Sequence, residues 1–278
     1  MQKKIFLIAE IGINHNGSIH LAKQLIKNAK IAGYDAVKFQ KRNPDICVPK
    51  FKKEVLKETP WGIMTYLNYK KKIEFNRKQY DEIDKYCRKI GIDWFASCWD
   101  LDSFKFIKKY KLKYHKVASA MLTNLNLIKA IAKDRKLTFI STGMGTFKDI
   151  DLAIKIFKKA KCKFVLNHSV AKYPCPEKDL NLNLIPVLKK KYKCRVGYSG
   201  HESTVAPSLI AVTLGAEYIE RHTTLNRTMW GTDQAASLQL KGMKILVEYV
   251  KKYRDCLGNG KKRITKSEKL KLKDLKYW

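Results

Sequence analysis

Residues 194–201, CRVGYSGH, and residues 216–222, AEYIERH, decide the fold. Each is a short run of apolar and small residues whose last positions turn polar. Ser199 and His201 close the first, and Glu220 and His222 close the second. Residues 204–214, between them, carry a helix-like pattern. Strand, helix and strand in succession make a βαβ unit with a parallel pair. Parallel strands are buried on both faces and read as nearly continuous apolar runs. A charge within one is costly unless it is paired, bound to a metal or turned toward a ligand. Side chains two apart share a face, so Ser199 looks the same way as His201, and Tyr218 the same way as Glu220 and His222.

The same grammar recurs outward along the chain. Glu10 ends IFLIAE, Lys38 sits in DAVKFQ with Gln40 on its face, and Lys116 sits in YHKVASA. Candidate strands lie near 5–10, 35–39, 92–97, 114–118, 138–142, 163–168, 194–199 and 217–221. Helical patterns lie near 18–32, 76–90, 102–110, 124–134, 147–160, 181–191, 204–214 and 240–256. Eight alternations predict an α/β fold of the (β/α)8 TIM-barrel type, which takes about 250 residues and sets its chemistry at the C-terminal ends of the strands. The barrel is expected over 1–257, with a basic tail over 258–278 lying on the barrel or partly free. Residues 41–75 form one long connection, punctuated by Pro44, Pro49, Pro60 and Gly62, with apolar mass from Trp61, Tyr66 and Tyr69. Connections of that length usually serve function; it reads as a lid over the rim or as a surface excursion.

Composition narrows the function. The net charge is +33, from 49 Lys and nine Arg among others, but the lysines are spread over nearly every helical segment. Spread lysines read as solvated helix faces, which argues against a nucleic-acid surface while leaving a general attraction for anionic substrates. No apolar run approaches the ~18 residues of a membrane span, and MQKKIFLIAE is too short for a signal peptide. Seven scattered Cys with no CxxC pair read as reduced thiols in a cytoplasmic protein. No phosphate-binding glycine motif follows a strand.

The polar strand ends carry the chemistry. His201 and His222 end neighbouring strands, which lie ~4.8 Å apart, so they can share a divalent metal. Imidazole suits several transition metals, and carboxylate or water ligands shift the preference toward manganese or magnesium. Glu10, Glu220 or Asp233 is placed to orient a histidine, bind substrate or complete the shell. Lys38 and Lys116 read as clamps for phosphate or carboxylate, as Schiff-base amines if burial lowers their pKa, or as structural partners of Glu10 or Glu220. Ser119, Ser141 and Ser199 add hydroxyls, and the segment 141–145, STGMG, reads as an anion nest. In EIGINHNGS (10–18), Asn14, His15, Asn16 and Ser18 are turn and cap types. His168 also ends an apolar run and is expected at the same mouth; His20 and His115 are read as structural.

The chain resembles the N-acetylneuraminate (sialic acid) synthase family. EIGINHNGS, VKFQ, KVASA, STGMG, HSVAKYPCP, GYSGH, IERH and WGTDQAASL occur in family order over about residues 4–268. The resemblance implies a (β/α)8 barrel that condenses phosphoenolpyruvate with an aldose, using a divalent metal, Mn2+ or Mg2+. His201 and His222 fall on the family's metal ligands. Lys38, Lys116, Ser119, Ser141 and Ser199 fall on its phosphoenolpyruvate positions, with Gln40 beside them. Glu10 matches an active-site glutamate, Tyr173 an active-site tyrosine and Asp233 a carboxylate that contacts the sugar. Family members are usually dimers, so a homodimer is implied too.

Three departures touch the acceptor half. Met121 stands where the family commonly has an acid, and Ala171 lacks a polar side chain often found there. The typical member also carries a C-terminal antifreeze-like (SAF) domain, and this chain ends about where the linker to it would begin. Two rival readings share the barrel: a Schiff-base pyruvate aldolase using Lys38 or Lys116, and a non-catalytic binder of polyanions.

Overall fold

The computed structural model describes residues 4–278, and for Arg254 the backbone alone. In chain order its elements are β1 (Phe6–Gly12), α1 (Ile19–Ala32), β2 (Ala36–Lys41), α2 (Pro44–Cys47), β3 (Leu56–Thr59), β4 (Gly62–Thr65), α3 (Tyr66–Ile73) and α4 (Arg77–Ile90). Then come β5 (Asp93–Cys98), α5 (Leu101–Lys108), β6 (Tyr114–Val117), α6 (Leu125–Lys133), β7 (Leu137–Ser141), α7 (Phe147–Lys159) and β8 (Phe164–Ser169). The last are α8 (Leu184–Tyr192), β9 (Arg195–Gly200), α9 (Ala206–Thr213), β10 (Tyr218–His222), α10 (Leu240–Leu257) and α11 (Lys266–Leu275).

Eight strands close into a parallel barrel in the order β1-β10-β9-β8-β7-β6-β5-β2. The expected (β/α)8 fold is the one observed. Helix ends fall where side chains satisfy their orphan amides. Ser18 caps α1, Asn76 and Gln79 form a capping box on α4, Asp100 caps α5, and Thr146 and Asp149 box α7. Two helices start later than their apolar pattern, α8 at Leu184 and α9 at Ala206. In α9 Pro207 occupies the first turn, where its missing N–H costs nothing.

Alternation builds the interior in layers. Phe6, Phe95, Tyr114, Phe139 and Tyr218 pack ring on ring with centroids 5.1–6.4 Å apart, and they close the floor. Two to four residues further along the inward-facing positions, the register sets Glu10 beside Lys38 and His222, Ser97 beside Lys116, and Glu220 beside Ser199. Polar groups above an apolar floor therefore face only the C-terminal mouth.

The connection 41–75 is ordered. It holds α2, the antiparallel hairpin β3–β4 and α3, none of which its sequence pattern announced. Tyr69, Ile73 and Ile13 form a second small core with Met64, Tyr66 and Trp230 at its edge. Trp230 belongs to the loop after β10 and meets Tyr69 at 5.1 Å and Trp61 at 5.8 Å, both edge-on. The segment is thus strapped across the rim rather than hung from the side. Beyond α10 the tail is exposed, and α11 has no buried residue.

Candidate active site

The inner cavity lies at the C-terminal mouth and has a volume of about 240 Å³. Eleven of the twelve expected site residues line it: Glu10, Lys38, Gln40, Lys116, Ser119, Ser141, Tyr173, Ser199, His201, Glu220 and His222. Asp233 stands just outside, with Oδ2 3.7 Å from Nδ1 of His222 and Oδ1 accepting from the Thr232 hydroxyl at 2.7 Å.

Two carboxylates and two ammonium groups share the deep layer. Lys38 Nζ lies 2.7 Å from Glu10 Oε2 and 3.5 Å from Glu220 Oε1. Lys116 Nζ donates to Glu220 Oε2 at 3.0 Å, and the Ser199 hydroxyl donates to Oε1 at 3.0 Å. Gln40 donates to Glu10 Oε1 at 3.0 Å and itself accepts from Arg42. All four charged side chains are buried, and their formal charges cancel, as low-dielectric surroundings require. Lys38 and Lys116 are therefore paired with acids and also exposed to the cavity, which reconciles two of the readings of them.

Burial penalises the charges of Lys38, Lys116 and Glu220, yet the amines diverge. Glu10 and Glu220 together outweigh the burial of Lys38 and raise its pKa. Burial dominates at Lys116, which has Glu220 as its near partner and Lys38 as a neighbouring like charge, and its pKa is lowered. Glu220 resists burial through Lys116 first and Lys38 second, so its carboxyl titrates below the usual range.

At the upper rim the imidazoles of His201 and His222 have centroids 5.5 Å apart. Nδ1 of His201 faces the Val170 carbonyl at 2.5 Å. A carbonyl only accepts, so Nδ1 carries the proton and Nε2 keeps a free lone pair. Burial, then His222, push the His201 pKa down to about 3, which keeps the ring neutral. Nδ1 of His222 is buried without a hydrogen-bond partner. Two imidazoles side by side, one with an orphaned nitrogen, fit a divalent ion. Among the described residues no group of three His, Cys, Asp and Glu side chains gathers around one point, so water or substrate oxygens would complete the shell. Tyr173 roofs the pair, its ring 4.1 Å from His201 and 5.5 Å from His222.

Two expectations need correction. His168 does not face the mouth: it turns to the helical layer, where Nε2 meets the Leu180 carbonyl at 2.6 Å. The sequence misled because an apolar strand is buried on both faces, so burial alone does not give direction. The 141–145 turn is no ready anion nest. The amides of Thr142, Gly143 and Gly145 are spent on Asn167, Ser169 and Thr142. In 10–18, Asn14 donates to Thr223 and Ser237, Asn16 to Trp230, and His15 stacks on Phe75 at 3.9 Å, so those side chains are structural. His115, bonded to Asp134 at 2.9 Å, is structural as read.

Sequence reading missed Ser97 and Trp99, which line the cavity, and Ser169, whose hydroxyl meets that of Ser119 at 3.0 Å. Parity with Phe95 would have found Ser97. Of the departures, Ala171 lines the cavity, as Ala118, Ala120 and Met144 also do, while Met121 packs on the main core.

Gly12 tests the tightness of this cradle. Its φ is +55°, and a methyl there would stand 3.1 Å from Glu10 Oε1 and Gln40 Nε2 and 3.4 Å from His222 Cε1. Gly12→Ala is expected to lower Tm by about 2–4 °C, the scale of roughly 1 kcal/mol of left-handed strain. Catalytic activity should fall more steeply than stability, as phosphate-release kinetics beside thermal unfolding would show.

The comparisons with known proteins converge on one family. The sequence model of the NeuB family matches residues 25–262. The chain is 35% identical over 275 residues to N,N'-diacetyllegionaminic acid synthase of Campylobacter jejuni, covering 96% of this chain and 81% of that one. It is 34% identical over 274 residues to human N-acetylneuraminate-9-phosphate synthase, covering 96% and 75%. The crystal structure of N-acetylneuraminic acid synthetase from Leptospira borgpetersenii superposes with a TM-score of 0.86 at 33% identity, covering 98% of this chain and 91% of that one.

Proposed function

The chain belongs to the NeuB family of synthases, and on that premise we propose that it joins phosphoenolpyruvate to an open-chain aldose, giving a sialic-type nonulosonic acid and phosphate. One observation carries the reading. Two ammonium groups, two carboxylates and two imidazoles from five strands converge on one cavity above a sealed floor.

The residues divide the work by height. Lys38 and Lys116 hold phosphoenolpyruvate's anionic groups low in the barrel, with hydroxyls of Ser119, Ser141 and Ser199 as further donors. Fixing that reactant under the acceptor converts a bimolecular encounter into a local one. A divalent ion, manganese or magnesium, held by His201 and His222 would supply Lewis-acid polarisation of the acceptor carbonyl. The enol π pair then forms the bond from C3 to the aldehyde carbon, and the resulting alkoxide ends with a proton released by the water of the next step. Water adds at C2, and Glu10 is placed to accept its proton. The bond from C2 to the phosphate oxygen breaks, phosphate leaves with that pair, and the new C2 hydroxyl gives its proton to the departing phosphate as the ketone forms. Asp233 and Tyr173, at the rim, are placed to meet the sugar. The apolar side chains of Ala118, Ala120, Met144 and Ala171 in the lining support an acceptor with an acyl or deoxy face.

The test is phosphate release from phosphoenolpyruvate with manganese across a panel of N-acetylated, diacetylated and deoxy aldoses. Release should require an aldose, stop on chelation with EDTA and return with manganese. Release that ignores both would sink the reading. The lowered pKa of Lys116 favours one rival, a Schiff-base aldolase. Borohydride with pyruvate would add mass at Lys116 in that case and leave the synthase unmodified. All seven cysteines are free, which supports a reducing, cytoplasmic compartment, and light scattering would test the homodimer.

A further inference from the structure

Acids match the cations of the deep layer, and they match Lys41 and Lys71 in the lid above it, but not every cation there. Lys70, on α3, is only 7% exposed, and among the described residues its amine makes no hydrogen bond or ion pair. The amine instead stands over two rings, 4.9 Å from the centroid of Tyr69 and 5.3 Å from that of Tyr66. Lys57, on β3, reaches the same aromatic group, 5.8 Å from Tyr69 and 5.4 Å from Trp230. Arg42, just past β2, holds its Cζ 3.9 Å from the centroid of the Trp99 ring and donates to Gln40, and both of those residues line the cavity. Its Nε is buried with no acceptor, and so is Nε1 of Trp99.

Donors left unpaired in a buried position are costly, and few survive without a reason. Here they come from separate segments of chain and gather at one edge of one mouth. Two acids face Lys70. Glu74 is engaged by Lys41 at 3.0 Å, and Asp233 is engaged by Thr232 and lies beside His222. Burial first, and Arg42 next, lower the Lys70 pKa to about 8. A bound anion would reverse that shift.

We propose that Arg42, Lys57 and Lys70 form an outer anion subsite that takes a phosphate monoester on the acceptor, remote from its reacting carbonyl, so that the chain's aldose is a sugar phosphate. The proposal rests on the condensation reading above. Phosphate rather than carboxylate fits because a dianion with three terminal oxygens meets three cations from different directions. Phosphoenolpyruvate's own anionic groups are served deeper, by Lys38 and Lys116.

The probes are N-acetylmannosamine and its 6-phosphate, titrated without phosphoenolpyruvate and followed by tryptophan fluorescence. Trp61, Trp99 and Trp230 stand around the subsite. Charge-assisted hydrogen bonds of this kind make the 6-phosphate bind about ten- to a hundredfold tighter. Lys70→Met, which keeps the aliphatic stem, removes most of that preference, and Arg42→Met gives an independent check should the first variant fold poorly. Equal affinity for the two sugars overturns the proposal, as does a preference that both variants keep. Turnover, measured alongside with phosphoenolpyruvate present, separates the two readings. Phosphate-selective binding with no turnover of either sugar would defeat the condensation and leave the subsite standing.

Discussion

Lys116→Met is expected to lower the rate of phosphate release by about 10²–10³-fold, the loss found when one preorganised donor is removed from a water-poor site. The same substitution should cost about 3 kcal/mol of stability, since it leaves a buried carboxylate short of its nearer cation. Glu220 would keep only Lys38, at 3.5 Å, and the Ser199 hydroxyl. Lys116 itself tempers the loss. Its amine titrates low in the fold, so its charge opposes folding at neutral pH, and deleting it relieves that part. The pH dependence follows from Glu220. A carboxyl held below the ordinary range contributes stability that is present above its unfolded pKa, about 4.3, and is lost as pH falls through the folded value. In the variant that carboxyl titrates higher. The stability gap between wild type and variant is therefore widest near neutrality and narrows as pH falls toward 4. Thermal unfolding at several pH values, with rates of phosphate release beside it, measures both effects. Wild-type turnover in Lys116→Met would place the chemistry elsewhere.

Much of this site was legible because a parallel barrel turns alternate residues the same way. Once Lys38, Lys116, Glu220 and His222 were recognised as charges or imidazoles in apolar runs, period two gave their shared direction, and the eightfold alternation gave a common rim. Period two also marks the limit. It says which residues share a face but not which face is the interior, so His168 was assigned to the mouth although it points outward. The lid was the other blind region. Its hairpin and α3 are held by Trp230, from a loop about 160 residues later in the chain, and no local period encodes such a contact. Lys70 was invisible for the same reason. In sequence it is one of three consecutive lysines, and only the packing of Tyr66 and Tyr69 around it sets it apart from Lys71 and Lys72.

The outer face of the same strands carries the second large effect. Arg221 follows Glu220 and points the other way, as Glu202 does after His201. The two form an ion pair with Nη1 and Oε1 2.7 Å apart, both side chains fully buried. Nη1 also donates to the Thr204 carbonyl at 2.7 Å and the Ser208 hydroxyl at 2.9 Å, while Tyr198 donates to Glu202 Oε2 at 2.7 Å. This network ties the end of β10 to the loop after β9, and each partner is one residue from an imidazole of the mouth. Arg221→Met would strand Glu202 as an uncompensated buried charge, for which about 3–5 kcal/mol is expected. On a chain of this size that lowers Tm by roughly 6–20 °C. The double variant Arg221→Met with Glu202→Gln should recover part of the loss, because the cost lies in the lone charge more than in the missing attraction. Catalytic efficiency toward phosphoenolpyruvate should fall in the single variant at temperatures where it is still folded, although neither residue lines the cavity. The reason is that His201 and His222 lose the brace that fixes their spacing. An Arg221→Met protein as stable as wild type, or a double variant less stable than the single, would show that the pair is not what braces the rim.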